Sequence, residues 1–183
     1  IKKELIMDNR YPTGRWQRPE SLEHKVLLGW IRQIEKLPEK LEQSLISANS
    51  ADMESCYREG GWKLRQVLHH LADSHINAYI RHKLCVTTDF PTINPYPEEK
   101  WANLYDVKSV DPMLSVQLLK LLHSRWTAFL SSLTPEDYLR SFYHPGMTRA
   151  VHLWESISLY AWHGDHHLAH VYICLKKDLP LTV

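Results

Sequence analysis

The amino-acid sequence predicts an all-α protein: a four-helix bundle with short extra helices and a small β-hairpin before the last helix. Glycine is scarce, with 6 residues in a chain of 183, and the long segments between loops repeat apolar residues at the helical period. Four such segments are long enough to pack around a shared core. We expect one domain over residues 1–183, with residues 1–20 as an N-terminal extension.

The first half of the chain contains two of the long helices. The first is predicted over residues 21–48, and Pro38 inside it should kink or restart the helix because proline has no backbone N–H. The second follows the break YREGG and covers residues 62–87. A proline-rich loop comes next, with a short helix near residues 98–105.

The second half contains the other two. Asp111 and Pro112 are typical of an N-cap and a first helical position, so a third helix begins there and ends near residue 133. Thr134 begins a short helical turn in the same way. The stretch FYHPGMTRAVHL predicts a hairpin, because a Pro-Gly turn separates residues that tolerate β-structure. The last helix is predicted over residues 153–177.

Charge and cysteine content exclude several classes of protein. The formal net charge is +1 and no basic run is present, which argues against a nucleic-acid partner. No apolar stretch approaches the roughly 18 residues of a membrane span, and no signal-peptide pattern opens the chain. The 3 cysteines are odd in number and widely spaced, which favours a reducing cytoplasm over a disulfide framework. We therefore expect a cytoplasmic protein that acts on a small molecule.

The stretch AWHGDHHLAH in the last helix is the strongest chemical signal. On a helical wheel the apolar seam of this helix passes through Gly164, and a second row lies beside it on the shoulder of the core. We expect His166 and Asp165 to be more exposed. The second row consists of His163, His167, His170 and Cys174.

His163 and His167 lie one turn apart and can hold one ion from a single helix face. Gly164 stands where a zincin protease would have glutamate, so that class of protease is excluded. A third ligand must come from elsewhere, and the second helix offers two candidates. His75 is central on its apolar face, and His70 lies to one side; the shoulder position favours His70, but spacing leaves both open.

Other residues of the second helix have weaker predicted roles. His69 faces away from the core and is expected to be solvated. Asp73 follows His70 by one turn and could orient an imidazole or bind solvent. The row that contains His70 also includes Ser74, Asn77 and Arg81.

The segments YREGGWKLRQVLHHLADSHINAYIRHKL and FYHPGMTRAVHLWESISLYAWHGDHHLAH resemble the YfiT-type branch of the DinB-like superfamily, as do RYPTGRW and INPYPEEKW. The resemblance covers nearly the whole chain. It implies a four-helix bundle with one divalent metal held by His70, His163 and His167, and it makes His75 a structural residue. The superfamily includes metal-dependent hydrolases and transferases that use bacillithiol or mycothiol. The YfiT branch is similar to bacillithiol S-transferases, and its members tend to be dimers.

Three neutral imidazoles leave a divalent cation with its full charge and at least one open position. Water in that position would become acidic enough for hydrolysis, whereas a thiol would be held as thiolate for transfer to an electrophile. Nitrogen ligands suit zinc, nickel, copper and iron, and we expect zinc or nickel. Asp73 and His170 are the candidates for a catalytic acid or base, although a structural role fits each at least as well.

The sequence therefore supports three hypotheses about function. The first is a metal-dependent thiol S-transferase with a low-molecular-weight thiol of the bacillithiol type as co-substrate. The alternative is a metal-dependent hydrolase of the same fold, and the third is a metal-binding bundle without turnover. A homodimer is expected from the resemblance and from the supply of tryptophan and tyrosine, which are common in interface cores.

Overall fold

The computed structural model describes residues 8–179, so the first seven residues of the predicted extension over 1–20 lie outside it. The described chain forms seven α-helices and one two-stranded antiparallel sheet. The elements in chain order are α1 (His24–Leu45), α2 (Leu64–Thr87), α3 (Glu98–Trp101), α4 (Tyr105–Ser109), α5 (Met113–Ser131), α6 (Pro135–Leu139), β1 (Ser141–His144), β2 (Arg149–His152) and α7 (Leu153–Cys174).

The four long helices α1, α2, α5 and α7 form the predicted bundle. The helices α1 and α2 each pack against both α5 and α7. One face of α1 is apolar at helical spacing, and Leu27, Ile34 and Leu41 on that face are fully buried. Gly164 allows α7 to approach α1 closely, because an added Cβ would lie 2.8 Å from a methyl group of Leu37. The core between the helices therefore fixes where each helix presents its polar residues.

Local sequence signals explain most element boundaries. The helix α2 begins and ends within two residues of its prediction. The Asp111 carboxylate accepts a hydrogen bond from the Met113 N–H at 3.0 Å, which supports the start of α5. Thr134 caps α6 as predicted, with its hydroxyl accepting from the Asp137 N–H. The predicted hairpin is confirmed as β1 and β2, whereas the single short helix predicted over residues 98–105 is two separate helices, α3 and α4.

Pro38 does not restart the first helix. The helix α1 continues through it without a break, so the prediction of a restart is wrong. Proline removes the hydrogen bond that its own N–H would give to the carbonyl four residues earlier, which is that of Ile34. The buried imidazole of His123 donates to this carbonyl instead, with Nδ1 at 2.5 Å. A side chain from α5 thus replaces the missing helical donor.

The N-terminal segment, residues 8–20, lies against α7. The Trp162 indole N–H donates to the Gly14 carbonyl at 3.2 Å, and the Trp16 indole N–H donates to the Ser158 hydroxyl at 3.3 Å. The Nε2 atom of His170 lies 3.0 Å from the Asn9 carbonyl oxygen. These contacts attach the segment to the histidine-rich helix.

Within the described residues, none of the helices combines the length and the apolar character that a membrane span requires.

Candidate metal centre

The structure brings His70 of α2 together with His163 and His167 of α7. One ring nitrogen from each lies within 4.8 Å of the others. The Nε2 atoms of His70 and His163 are 3.3 Å apart. Two nitrogens bound to one tetrahedral zinc ion at about 2.0–2.1 Å are separated by about 3.3 Å, so this spacing fits a shared cation. Among the described residues no carboxylate joins this group.

A chain of three histidines determines which nitrogen of His163 is free. The Ile34 carbonyl can only accept, so His123 donates from Nδ1 and, being neutral, keeps a lone pair on Nε2. His75 Nδ1 lies 2.8 Å from that atom and must donate to it. His75 Nε2 then accepts from His163 Nδ1 at 3.1 Å. The Nε2 lone pair of His163 is therefore left for a ligand.

His167 is oriented by a second chain that leads out of the bundle. The Asn9 carbonyl accepts from His170 Nε2, which leaves the lone pair of His170 on Nδ1. His167 Nδ1 lies 3.3 Å from that atom and donates to it. His167 consequently presents its Nε2 lone pair, as His163 does. Hydrogen bonds of this kind, to the nitrogen that does not bind metal, fix the tautomer and ring orientation of histidine ligands.

Burial keeps these imidazoles neutral, which is the form that binds a metal. Burial lowers the pKa of His70 to about 4. Burial, together with repulsion from neighbouring histidines, lowers the pKa of His163 and that of His167 well below the ordinary value. The pKa of His170 is lowered to about 3, again mainly by burial. At neutral pH each of the four imidazoles is therefore uncharged, and none carries the second proton that would repel a cation.

The three histidines open into a pocket of about 450 Å³. Trp62 lies over the group, with its ring centroid 4.7 Å from that of His70, and its indole N–H donates to the Glu99 carboxylate at 3.2 Å. Tyr160 forms part of the opposite wall, and its ring lies 5.7 Å from that of His163. A ligand in the pocket would therefore contact aromatic walls and the open side of the histidine group.

The other residues predicted near the site do not belong to the group of three histidines. His75 is fully buried and both its ring nitrogens have histidine partners, as a structural residue requires. His170 lines the pocket, but both its nitrogens are engaged in the chain to His167. Asp73 is not among the residues that line the pocket, and burial raises its pKa to about 6. Cys174 is buried in the core, where burial raises the pKa of its thiol to about 12.

Three predictions of exposure are wrong. His69 is 6% exposed, and its Nδ1 is 2.8 Å from the hydroxyl of buried Ser115, because the first turn of α5 covers the outer face of α2. His166 is 7% exposed, because its ring stacks on Trp162 and meets Tyr11 of the N-terminal segment. Asp165 is half-buried beside Lys40 of α1. The wheel of a single helix contains no information about these covering segments.

A second group of histidines also brings three ring nitrogens within 4.8 Å, namely His166, His167 and His170. It shares His167 with the first group. A neutral His167 has one lone pair, and its hydrogen bond to His170 assigns that lone pair to the first group. The two groups therefore compete for one imidazole.

Trp62, Arg81 and Glu99 line the pocket but were not predicted as site residues. A signal existed for Arg81, because it shares the helical row of His70. Trp62 precedes α2 and Glu99 lies on α3, so neither belongs to a periodic pattern that points to the histidines. Only the tertiary arrangement shows that they meet there.

Comparison with known proteins agrees with this architecture. The sequence model of the DinB superfamily matches residues 33–171. YfiT of Bacillus subtilis, named as a candidate metal-dependent hydrolase, is 44% identical over 161 residues, which cover 88% of this chain and 90% of that protein. A relative from Oceanobacillus iheyensis with the same designation is 43% identical over 173 residues, covering 94% of this chain and 99% of the relative.

A solved structure of Bacillus subtilis YfiT, described as a candidate metal-dependent hydrolase with an unusual four-helix bundle topology, superposes with a TM-score of 0.89 at 42% identity. The match covers 92% of this chain and 96% of that structure. The fold class and the resemblance inferred from the sequence are both confirmed. The chain belongs to the DinB superfamily.

Proposed function

We propose that this protein is a metal-dependent enzyme that holds one divalent cation, zinc or nickel, on His70, His163 and His167, and transfers a small thiol of the bacillithiol type to an electrophile. The observation that carries the proposal is the neutral, all-nitrogen histidine group at the wall of an open pocket. When bound, the cation would lower the pKa of a thiol or a water molecule in its open position.

The protein's own residues support thiol transfer in two ways. Among the described residues no carboxylate belongs to the group of three histidines, so no protein ligand would neutralise a bound cation, and its charge would stay available to an incoming anion. His170 and His75 use both ring nitrogens to orient His167 and His163, and neither has a free lone pair for general-base work. A thiolate is already an anion and needs no general base to deprotonate it, so thiol transfer fits a site without one.

Hydrolysis is the second candidate, because the relatives from Bacillus subtilis and Oceanobacillus iheyensis are named as candidate metal-dependent hydrolases. It would use the same pocket with water in place of the thiol. The described chain offers no acid-base residue hydrogen-bonded to the three histidines except other histidines, so a proton acceptor would have to be Glu98 or Glu99 elsewhere in the pocket wall, solvent or the substrate.

A cytoplasmic location is part of the proposal. The three cysteines of the chain, Cys56, Cys85 and Cys174, are all free thiols in the structure. A reducing compartment would preserve them and would also supply the small thiol.

The site is tested by metal analysis of protein purified without a histidine tag. Changing His163→Ala removes one of three ligands, so we expect the metal content to fall from near one per chain to below a tenth. The matched control is His24→Ala, an exposed histidine on α1, which should keep the wild-type content. Near-stoichiometric metal in the His163→Ala protein would contradict the site.

The reaction is tested by kinetics on the metal-loaded protein. Thiol transfer to a haloaromatic acceptor should saturate with added thiol and vanish without it. Ester or amide hydrolysis whose rate does not change with any added thiol would contradict the transferase hypothesis and support the hydrolase hypothesis. Stoichiometric metal with neither activity would favour the non-catalytic bundle.

A further inference from the structure

Arg81 is a buried charge that forms no ion pair with any described residue. It lies on α2 in the wall of the histidine pocket and is 8% exposed. Its Nη1 donates to the Tyr160 hydroxyl at 3.3 Å and its Nη2 to the Asn94 carbonyl at 3.1 Å, and both acceptors are neutral. Within residues 8–179 the Nε–H has no partner, and no carboxylate oxygen lies within 4.0 Å of the guanidinium.

The other deeply buried charge among the described residues, that of Glu155, is paired. Glu155 is fully buried, and it contacts two guanidinium groups, those of Arg149 and Arg18. An unpaired buried charge is costly, so buried ions are normally paired or bind a ligand. Arg81 thus keeps an unpaired charge and one N–H without a partner in the described chain, and its side chain lines a cavity that is open to small molecules.

The surroundings of Arg81 match a single negative charge. His144 lines the same wall; burial and the charge of Arg81 lower its pKa, and its buried Nδ1 has no partner in the described chain. Glu98 also lines the pocket; burial raises its pKa while the charge of Arg81 acts against that rise, so a Glu98 carboxylate would partly offset Arg81 and oppose a second negative charge nearby. A carboxylate fits this balance better than a doubly charged phosphate, and its two oxygens match the two-pronged geometry of a guanidinium.

We infer that Arg81 binds a carboxylate group of the substrate whose reacting atom lies at His70, His163 and His167. The inference rests on the proposed function and adds the class of substrate. Tyr160 sets the spacing, since its hydroxyl contacts Arg81 and its ring contacts His163. In the preferred molecule, the carboxylate and the reacting atom are therefore separated by about the length of a tyrosine side chain.

The test compares two thiols that differ only in this charge. Mercaptohexanoate and its primary amide are titrated into the cobalt-loaded protein, and binding is measured from the thiolate-to-cobalt absorption band. We expect the carboxylate to bind about tenfold more tightly or better, because a charge-assisted hydrogen bond replaces a neutral one. Equal affinity within about twofold would overturn the inference while leaving the metal site and thiol binding intact.

Two variants test whether Arg81 is the cause of the preference for the carboxylate over the amide. Arg81→Met removes the charge at similar volume and should abolish the difference between the two thiols. Arg125→Met, an exposed arginine on α5 outside the pocket, makes the same change in net charge and should keep it. If Arg81 only stabilises the fold, for example through water to Glu98, the Arg81→Met protein will be less stable and the wild type will show no preference.

A further measurement does not depend on metal or thiol. The buried Nε–H of Arg81 should give a slowly exchanging ¹⁵N resonance, identified by its loss in Arg81→Lys. Acetate should shift this resonance saturably, and chloride at equal ionic strength should not. Failure of the cobalt band with both thiols would count against the proposed function alone, whereas an unmoved Arg81 resonance would overturn the inference.

Discussion

His70 and His75 are both buried on α2, yet their ring nitrogens have different partners. His75 is occupied at both nitrogens by His123 and His163, whereas His70 Nε2 meets only the Nε2 of His163. Helical periodicity placed both near the metal-facing side and could not separate them. The resemblance selected His70, and the hydrogen-bond directions give a physical reason for that choice.

The role of His75 can be tested by replacing it with Phe. This change fills the space but leaves His163 Nδ1–H without its acceptor, so His163 can rotate or change tautomer. We expect metal affinity, measured by competition with a chelating dye, to fall about 10–100-fold. The ¹⁵N shifts of His163 should report mixed tautomers.

His82→Phe is the matched control for this experiment. His82 is equally buried on α2, but its partners are Ser156 and Trp126 and it does not contact the metal-facing histidines. The change should lower the free energy of unfolding and leave metal affinity within about twofold. A similar loss of affinity in both variants would show that packing, not the tautomer of His163, is responsible.

At the scale of secondary structure, Pro38 links a helix defect to the site. Its missing N–H frees the Ile34 carbonyl, which accepts from His123 at the start of the chain that ends at His163. The sequence marks Pro38 as a disruption of α1, but it cannot show that a histidine on α5 would compensate. That pairing exists only when α1 and α5 pack together.

Pro38→Ala should therefore change stability and metal affinity in opposite directions. The alanine N–H restores the helical hydrogen bond and removes a helix-breaking residue, a change worth up to about 3 kcal/mol, so the unfolding midpoint in urea should rise. The same N–H competes for the Ile34 carbonyl and loosens His123, so metal affinity should fall several-fold. Pro135→Ala, at the first position of α6, should leave affinity unchanged. An affinity that rises together with stability would contradict the link.

The limits of prediction at this scale have a common cause. The boundaries of α2 and the starts of α5 and α6 follow from local capping chemistry, which the sequence contains. The burial of His69 and His166 depends on segments distant in sequence that cover them. The wheel describes one helix in isolation, so it found the histidine row and missed what lies over it.

For the whole molecule, buried neutral histidines predict sensitivity to acid. Burial lowers the pKa of His82 to about 3 and that of His123 to about 4, whereas both would titrate near 6.5 in the unfolded chain. Between those values the unfolded state binds more protons, so stability is complete above about pH 6.5 and is lost as the pH falls toward 4. Each such group contributes about 1.4 kcal/mol per pH unit over this range, and the other buried histidines add to the slope.

Urea unfolding of the metal-free protein at several pH values between 7.5 and 4.5 measures this slope. His82→Gln should reduce it by about 1.4 kcal/mol per pH unit, and His24→Gln, an exposed control, should not. Stability that stays constant between pH 7 and 5 would contradict the expectation.

The homodimer stays a prediction, and the structure changes the surface on which we base it. All 7 tryptophans are buried or half-buried, so of the two residue types only tyrosine, at Tyr105 with 82% exposure, has a strongly exposed member. Instead, Leu114, Leu118 and Leu121 form an exposed stripe on α5, at 55%, 44% and 70% exposure. We propose that two copies meet through this stripe.

Light scattering should then give about twice the chain mass of 21.6 kDa at micromolar concentration. Leu118→Glu together with Leu121→Glu should give the single-chain mass, because the charges cannot be buried against a second copy. Leu139→Glu, at an exposed leucine on α6, should leave the dimer intact. A wild-type mass near 21.6 kDa would refute the prediction.

Both histidine chains end on backbone carbonyls, those of Ile34 and Asn9. A carbonyl is supplied by every amino acid, so another residue at position 9 would keep the acceptor for His170 and would lose only the hydrogen bond that the Asn9 side chain donates to the Tyr57 carbonyl. Insertions or deletions in residues 8–20 are different, because they move the acceptor itself. Relatives of this chain should therefore keep the length of the segment more strictly than the identity of this residue, a form of constraint that sequence identity does not detect.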